Sequence, residues 1–147
     1  MKLIIPGQPL AQMRHRHRKC GTFTQSYDPQ QRQKQDVQKQ LLSLIPLAIK
    51  EEGLNLPSEQ PLHIDLTFYM AIAKSVSKRT RMILLGSYCD KHVDIDNQIK
   101  AIFDIGNKIL WVDDQYICSV SARKIYSENP RTELVISLIK ELYETKN

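Results

Sequence analysis

The alternation of apolar and polar positions is sharpest in the middle of the chain. Leu62, Ile64, Leu66, Phe68, Met70 and Ile72 recur at every second residue, the period of a strand with one buried face. Residues 2–5 (Lys-Leu-Ile-Ile) read as a short strand, stopped by Pro6-Gly7-Gln8-Pro9. A basic stretch follows and is expected to be a loop, with a second short strand over 22–26. Asp28-Pro29 predicts a helix start, Asp28 as N-cap and Pro29 at the first helical position. Val37, Leu41, Leu44 and Ala48 then fall on one helical face. Pro46 is expected to kink that helix or end it early, with Glu51-Glu52-Gly53 closing the element. A short helix ending near Gly86 comes next. Another begins near Asp94 or Ile95, buries Ile95, Ile99, Ile102 and Phe103, and stops at Gly106. Residues 115–126 and 132–139 read as strands joined through Glu128-Asn129-Pro130, and 139–146 as a last helical turn or two. The order β-β-α-β-α-α-β-β, without repeats or linkers, predicts one domain over residues 1–147. Its class is α/β (α+β), a mixed sheet with flanking helices.

Composition narrows the picture. The chain has 147 residues, 41 % of them apolar, enough for a real core. No run approaches the ~20 apolar residues of a spanning helix, and Met1–Gln12 is too polar for a signal-peptide core. The expectation is a soluble cytoplasmic protein with no membrane partner. Cys20, Cys89 and Cys118 form neither a disulfide framework nor a CxxC clip, so reduced thiols are expected. The net charge of +5 is uneven: residues 1–50 hold nine Lys/Arg against two acids, while the rest is slightly acidic. The densest piece is Arg14-His15-Arg16-His17-Arg18-Lys19, and a second basic patch runs from Lys74 through Lys78, Arg79 and Arg81. Such clusters attract a polyanion and neutralise phosphates; the plain alternative is a solvated loop. His15 and His17 sit in a cationic run that repels a metal ion, which argues against zinc there.

The candidate chemistry lies in Asp94-Ile95-Asp96-Asn97. Asp and Asn are ordinary helix N-caps, so capping is the plain reading of this tetrapeptide. Lys100, one turn after Asp96, is either an i,i+4 ion pair or a cation placed beside a carboxylate site. Trp111-Val112-Asp113-Asp114 adds two carboxylates after a turn, and a strand returning beside the helix would bring them back to Asp94 and Asp96. Clustered carboxylates need a cation to coexist, and hard oxygen ligands suit Mg²⁺ or Mn²⁺. Basic arms to hold a nucleic-acid backbone and an acidic pocket to cut it make a coherent nuclease. Trp111 itself, like Phe103, Tyr69, Tyr116 and Tyr126, reads as core or sheet packing.

Lys91-His92-Val93-Asp94-Ile95-Asp96-Asn97-Gln98-Ile99-Lys100-Ala101-Ile102-Phe103-Asp104 and Trp111-Val112-Asp113-Asp114-Gln115 together resemble the RusA family of Holliday junction resolvases. Agreement extends to Ile5-Pro6-Gly7-Gln8-Pro9 with Arg14 and Arg16, to Tyr27-Asp28-Pro29, to the Lys74–Arg81 segment of phage-type members, and to Lys124-Ile125-Tyr126 with Pro130-Arg131. His92-Val93 stands where many members carry Lys-Pro. The resemblance implies a RusA-like fold and a homodimeric, Mg²⁺-dependent endonuclease, without an organic cofactor, that cuts four-way DNA junctions in recombination and repair, often from a prophage gene. By position it implies metal ligation by Asp94, Asp96 and Asp114 with Asp113 accessory, a catalytic Lys100, and a structural Asp104. A two-fold dimer suits a junction that must be cut on two strands. Arg14, Arg16, Arg18, Lys19, Lys74, Lys78, Arg79, Arg81 and Lys124 are the DNA-binding candidates. Two other readings compete: a non-cleaving DNA-binding protein of the same fold, and a basic RNA-binding protein whose aspartates are only caps.

Overall fold

The structure, a computed structural model, describes residues 1–52, 54–91 and 93–139, and of 47–52 the backbone alone. The expected turn over 139–146 therefore falls, apart from Ile139, outside the described residues, as do Gly53 and His92. In chain order the elements are β1 (Lys2–Pro6), β2 (Arg16–Cys20), β3 (Phe23–Tyr27), α1 (Gln31–Glu52), β4 (Leu62–Ala71), α2 (Lys78–Leu84), α3 (Ile95–Gly106), a 3₁₀ turn (Asp114–Tyr116), β5 (Ile117–Ser127) and β6 (Arg131–Leu138). Four strands make a mixed sheet in the order β1-β6-β4-β5, with β4 and β5 parallel and the other pairs antiparallel. β2 and β3 form a separate antiparallel hairpin. This is the α+β arrangement of mixed sheet and flanking helices that the pattern predicts. No helix among the described residues is long and apolar enough to cross a membrane.

β4 sits inside the sheet and alternates strictly. Leu62, Ile64, Leu66, Phe68 and Met70 are all buried while their neighbours are half-covered. Each such side chain removed from water contributes roughly 1.5–3 kcal/mol, which pins the register, since a one-residue slip would turn the whole set to the other face. α1 packs on β1 and α3, and α3 on β5. α3 lays Gln98, Ala101, Ile102 and Ile105 into the core at helical spacing. That leaves Asp96, Lys100 and Asp104 on its exposed face. Lys34 of α1 bonds both Asp28 (2.8 Å) and Asp104 (3.0 Å). Burial alone would lower the Lys34 pKa, but the two carboxylates outweigh it and raise it; Lys34 in turn holds the Asp28 carboxyl below its ordinary range. Asp104 is thus a structural link between α1 and α3.

Several elements depart from the expectations. The basic run is not all loop, because Arg16–Cys20 is a strand. All its members are polar or charged, so no apolar alternation marks it. α1 begins at Gln31 rather than Pro29, although Asp28 does receive the Gln30 N–H at 2.8 Å. Pro46 does not end α1, which continues to Glu52. Pro46 and Leu42 lie on the exposed side, where water can satisfy the carbonyl that the missing N–H leaves unbonded. Gly106 belongs to α3 rather than stopping it, and Asn107 is the C-cap. Residues 114–116, expected at the start of a strand, form the 3₁₀ turn instead.

Candidate active site

The acidic site is assembled on the far half of β5. Gly86 N–H bonds the Tyr126 carbonyl (3.0 Å), Tyr126 N–H the Ser87 carbonyl (2.9 Å) and Cys89 N–H the Lys124 carbonyl (2.9 Å). These bonds lay residues 86–89 along the outer edge of β5. Cys89 is buried there, and its sulfur beside Tyr126, together with burial, pushes the phenol up to about 12. From the same strand Lys124 reaches out and donates to the carbonyls of Lys91 (3.2 Å) and Val93 (3.0 Å). Lys124 therefore clamps the residues that lead into Asp94. Replacing it with Met should leave those carbonyls without their cation and loosen the start of α3. The expected result is faster amide hydrogen exchange over residues 93–97, with the melting curve little changed. Unaltered exchange there would show that the clamp does not matter.

Asp94 is the N-cap residue of α3, with extended backbone angles (φ −66°, ψ 141°), yet its side chain makes no capping bond. Its carboxylate is exposed and has no partner among the described residues. The plain capping reading thus fails for the Asp94 side chain. Asp96 occupies the first turn, at the positive end of the helix, and Lys100 bonds it at 3.0 Å. The Lys100 ammonium beside it holds the Asp96 carboxyl below the ordinary carboxylate range, so Asp96 is ionised at neutral pH. With both partners more than half exposed, this ion pair adds little to stability.

The second acidic pair sits just ahead of Ile117, at the other end of the exposed half of β5. Asp113 caps the 3₁₀ turn, its Oδ1 accepting the Gln115 N–H at 3.0 Å. Asp114 is exposed, and its carboxylate makes no bond among the described residues. Of the two, Asp114 has the carboxylate open to a ligand. The structure brings Asp94, Asp96 and Lys100 together, and Asp113 with Asp114. Among the described residues, however, no three His, Cys, Asp or Glu side chains gather into a group that could hold a metal ion. The expected gathering of Asp113 or Asp114 with Asp94 and Asp96 into one metal-holding group is thus not made among the described residues. The carboxylates repel one another, Asp96 turns to Lys100, and Asp113 turns to its own cap.

Of the candidate basic residues, Arg14, Arg16, Arg18, Lys19, Lys74, Lys78 and Arg79 are all exposed, and none forms an ion pair among the described residues. Arg81 is held by Glu128 (3.3 Å) and the Ala73 carbonyl (3.0 Å), and Lys124 by the clamp above. Sequence reasoning missed how the first patch is mounted. Gln12 N–H bonds the Asn97 carbonyl at 2.7 Å and Met13 N–H bonds Gln30 Oε1 at 2.9 Å. The basic hairpin is thereby rooted directly beside Asp96. The available signal was Gly21-Thr22 between two five-residue stretches. Gly21 has φ +63°, as the first position of a two-residue hairpin turn requires.

A family profile described as endodeoxyribonuclease RusA matches residues 6–137. The chain is also 27 % identical over 143 residues to the uncharacterized protein YqaN of Bacillus subtilis, covering 92 % of this chain and 94 % of that protein.

Proposed function

The chain belongs to the RusA endodeoxyribonuclease family, and from that premise we propose that it is a Mg²⁺-dependent endonuclease that cuts four-way DNA junctions symmetrically, as a homodimer, in recombination and repair. The observation that carries this reading is the uncapped Asp94 carboxylate next to the Asp96–Lys100 pair, with an acid-free cationic hairpin rooted at Asn97. Mg²⁺ is commonly held by one or two carboxylates, with waters and substrate phosphate completing its shell. Asp94 and Asp96 fit that donor set, and Mn²⁺ would suit the same oxygens. Asp114, open to solvent, is the next ligand to be drawn in. Bound there, the metal would supply an activated water and neutralise charge on the phosphodiester.

The chain's own residues have distinct parts. Lys100, whose ammonium stands 3.0 Å from Asp96, would neutralise the negative charge that builds on a phosphate held at this site. Lys124 keeps Asp94 in place. Exposed arginines and lysines of the hairpin and of the 74–79 segment bind backbone phosphates.

The outer edge of β5 favours a second copy as partner. Residues Ile117–Ala122 carry no charge and no proline, and Val120 is exposed, whereas the opposite edge strand, β1, is guarded by Lys2 and Pro6. Nearby α2 buries nothing and exposes Met82 and Ile83.

The test is a labelled synthetic four-way junction beside linear duplex of the same sequence, in Mg²⁺ or EDTA. Paired nicks on opposite strands of the junction, in Mg²⁺ only, are expected, from a species whose light-scattering mass is twice the 17.1 kDa chain. Binding without cutting in both Mg²⁺ and Mn²⁺ would make the protein a non-cleaving junction binder.

A further inference from the structure

The β2–β3 hairpin presents a surface that phosphate binding alone does not explain. Every residue of β3 is exposed, as is every residue of β2 except Cys20. The antiparallel register pairs Arg16 with Tyr27, Arg18 with Gln25, and Cys20 with Phe23. Directly opposed residues share a face, so one side of the ribbon carries Arg16, Arg18, Tyr27 and, nearest the tip, Phe23. The other side carries His17, Lys19, Thr24 and Ser26. Arg18 donates to Gln25 Oε1 from Nε (3.1 Å) and Nη2 (3.0 Å), which braces the ribbon across its middle. Phe23 is 67 % exposed. A two-stranded ribbon has no core of its own, and a phenyl ring left in water at its tip gains nothing in the isolated chain. Residues 14–27 contain no acid, so whatever covers this face carries negative charge.

We propose that Phe23 recognises the branch point of the DNA. Its ring stacks on a base left unpaired or unstacked at the crossover, while Arg16 and Arg18 hold the flanking phosphates. The ring needs an open π-face, which a closed duplex does not offer without kinking, and aromatic stacking is tolerant of base identity. An anionic strand with an accessible base is the one occupant that satisfies both the cations and the ring. Rooted at Asn97, the hairpin would then report branch geometry to the neighbouring Asp94–Asp96 site. This inference rests on the junction-nuclease reading and adds to it the residue that separates a junction from a duplex.

The experiment uses the full-length protein in EDTA, so that nothing is cut. Phe23→Ala should weaken binding to the four-way junction by about five- to 100-fold and leave duplex affinity unchanged. Phe23→Trp should restore junction binding. Its exposed indole, unlike that of buried Trp111, should be quenched by the junction and not by the duplex. Equal loss on both DNAs, no loss on either, or an unquenched indole would overturn the proposal. So would a drop in molecular mass for Phe23→Ala, which would make the ring a contact between copies. If wild-type protein shows no preference for the junction, the nuclease reading fails along with the inference; if wild type prefers it and Phe23→Ala keeps that preference undiminished, only the inference fails.

Discussion

Asp96→Asn abolishes cutting, by a factor of about 10²–10³ or more, while junction binding is kept or strengthened. The substitution preserves shape and removes one negative charge. Asp96 is exposed and its contact with Lys100 is a solvent-facing i,i+4 pair, so the melting curve should scarcely move. Two consequences then separate. Asn is a poor ligand for a hard divalent cation compared with an ionised carboxylate, and the Lys100 ammonium holds the Asp96 carboxyl below its ordinary range. Cutting is therefore lost. Binding gains, because an anion facing the phosphate backbone has been removed while the hairpin cations remain. A gel-shift titration and a single-turnover cleavage assay on the same labelled junction read the two effects side by side. A role as helix cap alone predicts the opposite pattern, with cutting intact. The structure already disfavours it, since the N-cap is Asp94 and even that side chain leaves the cap unmade.

How much of this was legible in the sequence depends on whether burial or chemistry wrote the pattern. The strand over β4 could be read because each inward residue is apolar and each outward one is more polar or smaller, and the α3 face because Ile95, Ile99, Ile102 and Phe103 recur with the helix, although Ile102 alone of these is fully buried and the other three are half-buried against the core. Of the hairpin, the strand expected over 22–26 is found at Phe23–Tyr27, but its partner Arg16–Cys20 could not be read, since it buries almost nothing and periodicity reports only burial. Gln98 was invisible for the converse reason. It is polar yet wholly buried, its Nε2 donating to Met70 Sδ at 3.3 Å. In the site, the pairing of Asp96 with Lys100 follows from helical spacing alone, and Asp94 is their neighbour as the residue that opens the helix. The placement of Asp113–Asp114 depends on a tertiary return that no local rule specifies. The difference between those two lies in the 3₁₀ turn, which uses the Asp113 carboxylate and leaves that of Asp114 open. Lys124 shows the limit from another side. The sequence offers it as a DNA-binding candidate, and only the fold reveals that it faces the carbonyls of Lys91 and Val93.

Gly106→Ala is the structural counterpart with the largest expected effect. A Cβ at this position would lie 2.5 Å from Trp111 Cζ2 and 2.6 Å from Cη2, far inside contact distance. In an ordinary helix the change would gain up to about 1 kcal/mol. Here the indole cannot yield. It is wholly buried and stands edge-on to Phe103 with centroids 5.9 Å apart. Its backbone is held as well, because Ser58 N–H bonds the Leu110 carbonyl and Val112 N–H the Ser58 carbonyl, both at 3.1 Å. Overpacking of this kind costs about 1–3 kcal/mol, enough to reverse the helix gain and lower Tm by several degrees. The strain also has a direction. Trp111 is followed by Val112, Asp113 and Asp114, so a displaced indole pushes on the segment that sets Asp114, while the Asp96–Lys100 pair lies at the opposite end of α3. Cutting should fall more steeply than junction binding. Combining Gly106→Ala with Trp111→Phe makes room for the methyl group, so the two penalties should be less than additive. Thermal melts of the four proteins give the answer, and strictly additive losses would mean that the glycine is required for some reason other than the ring that lies against it.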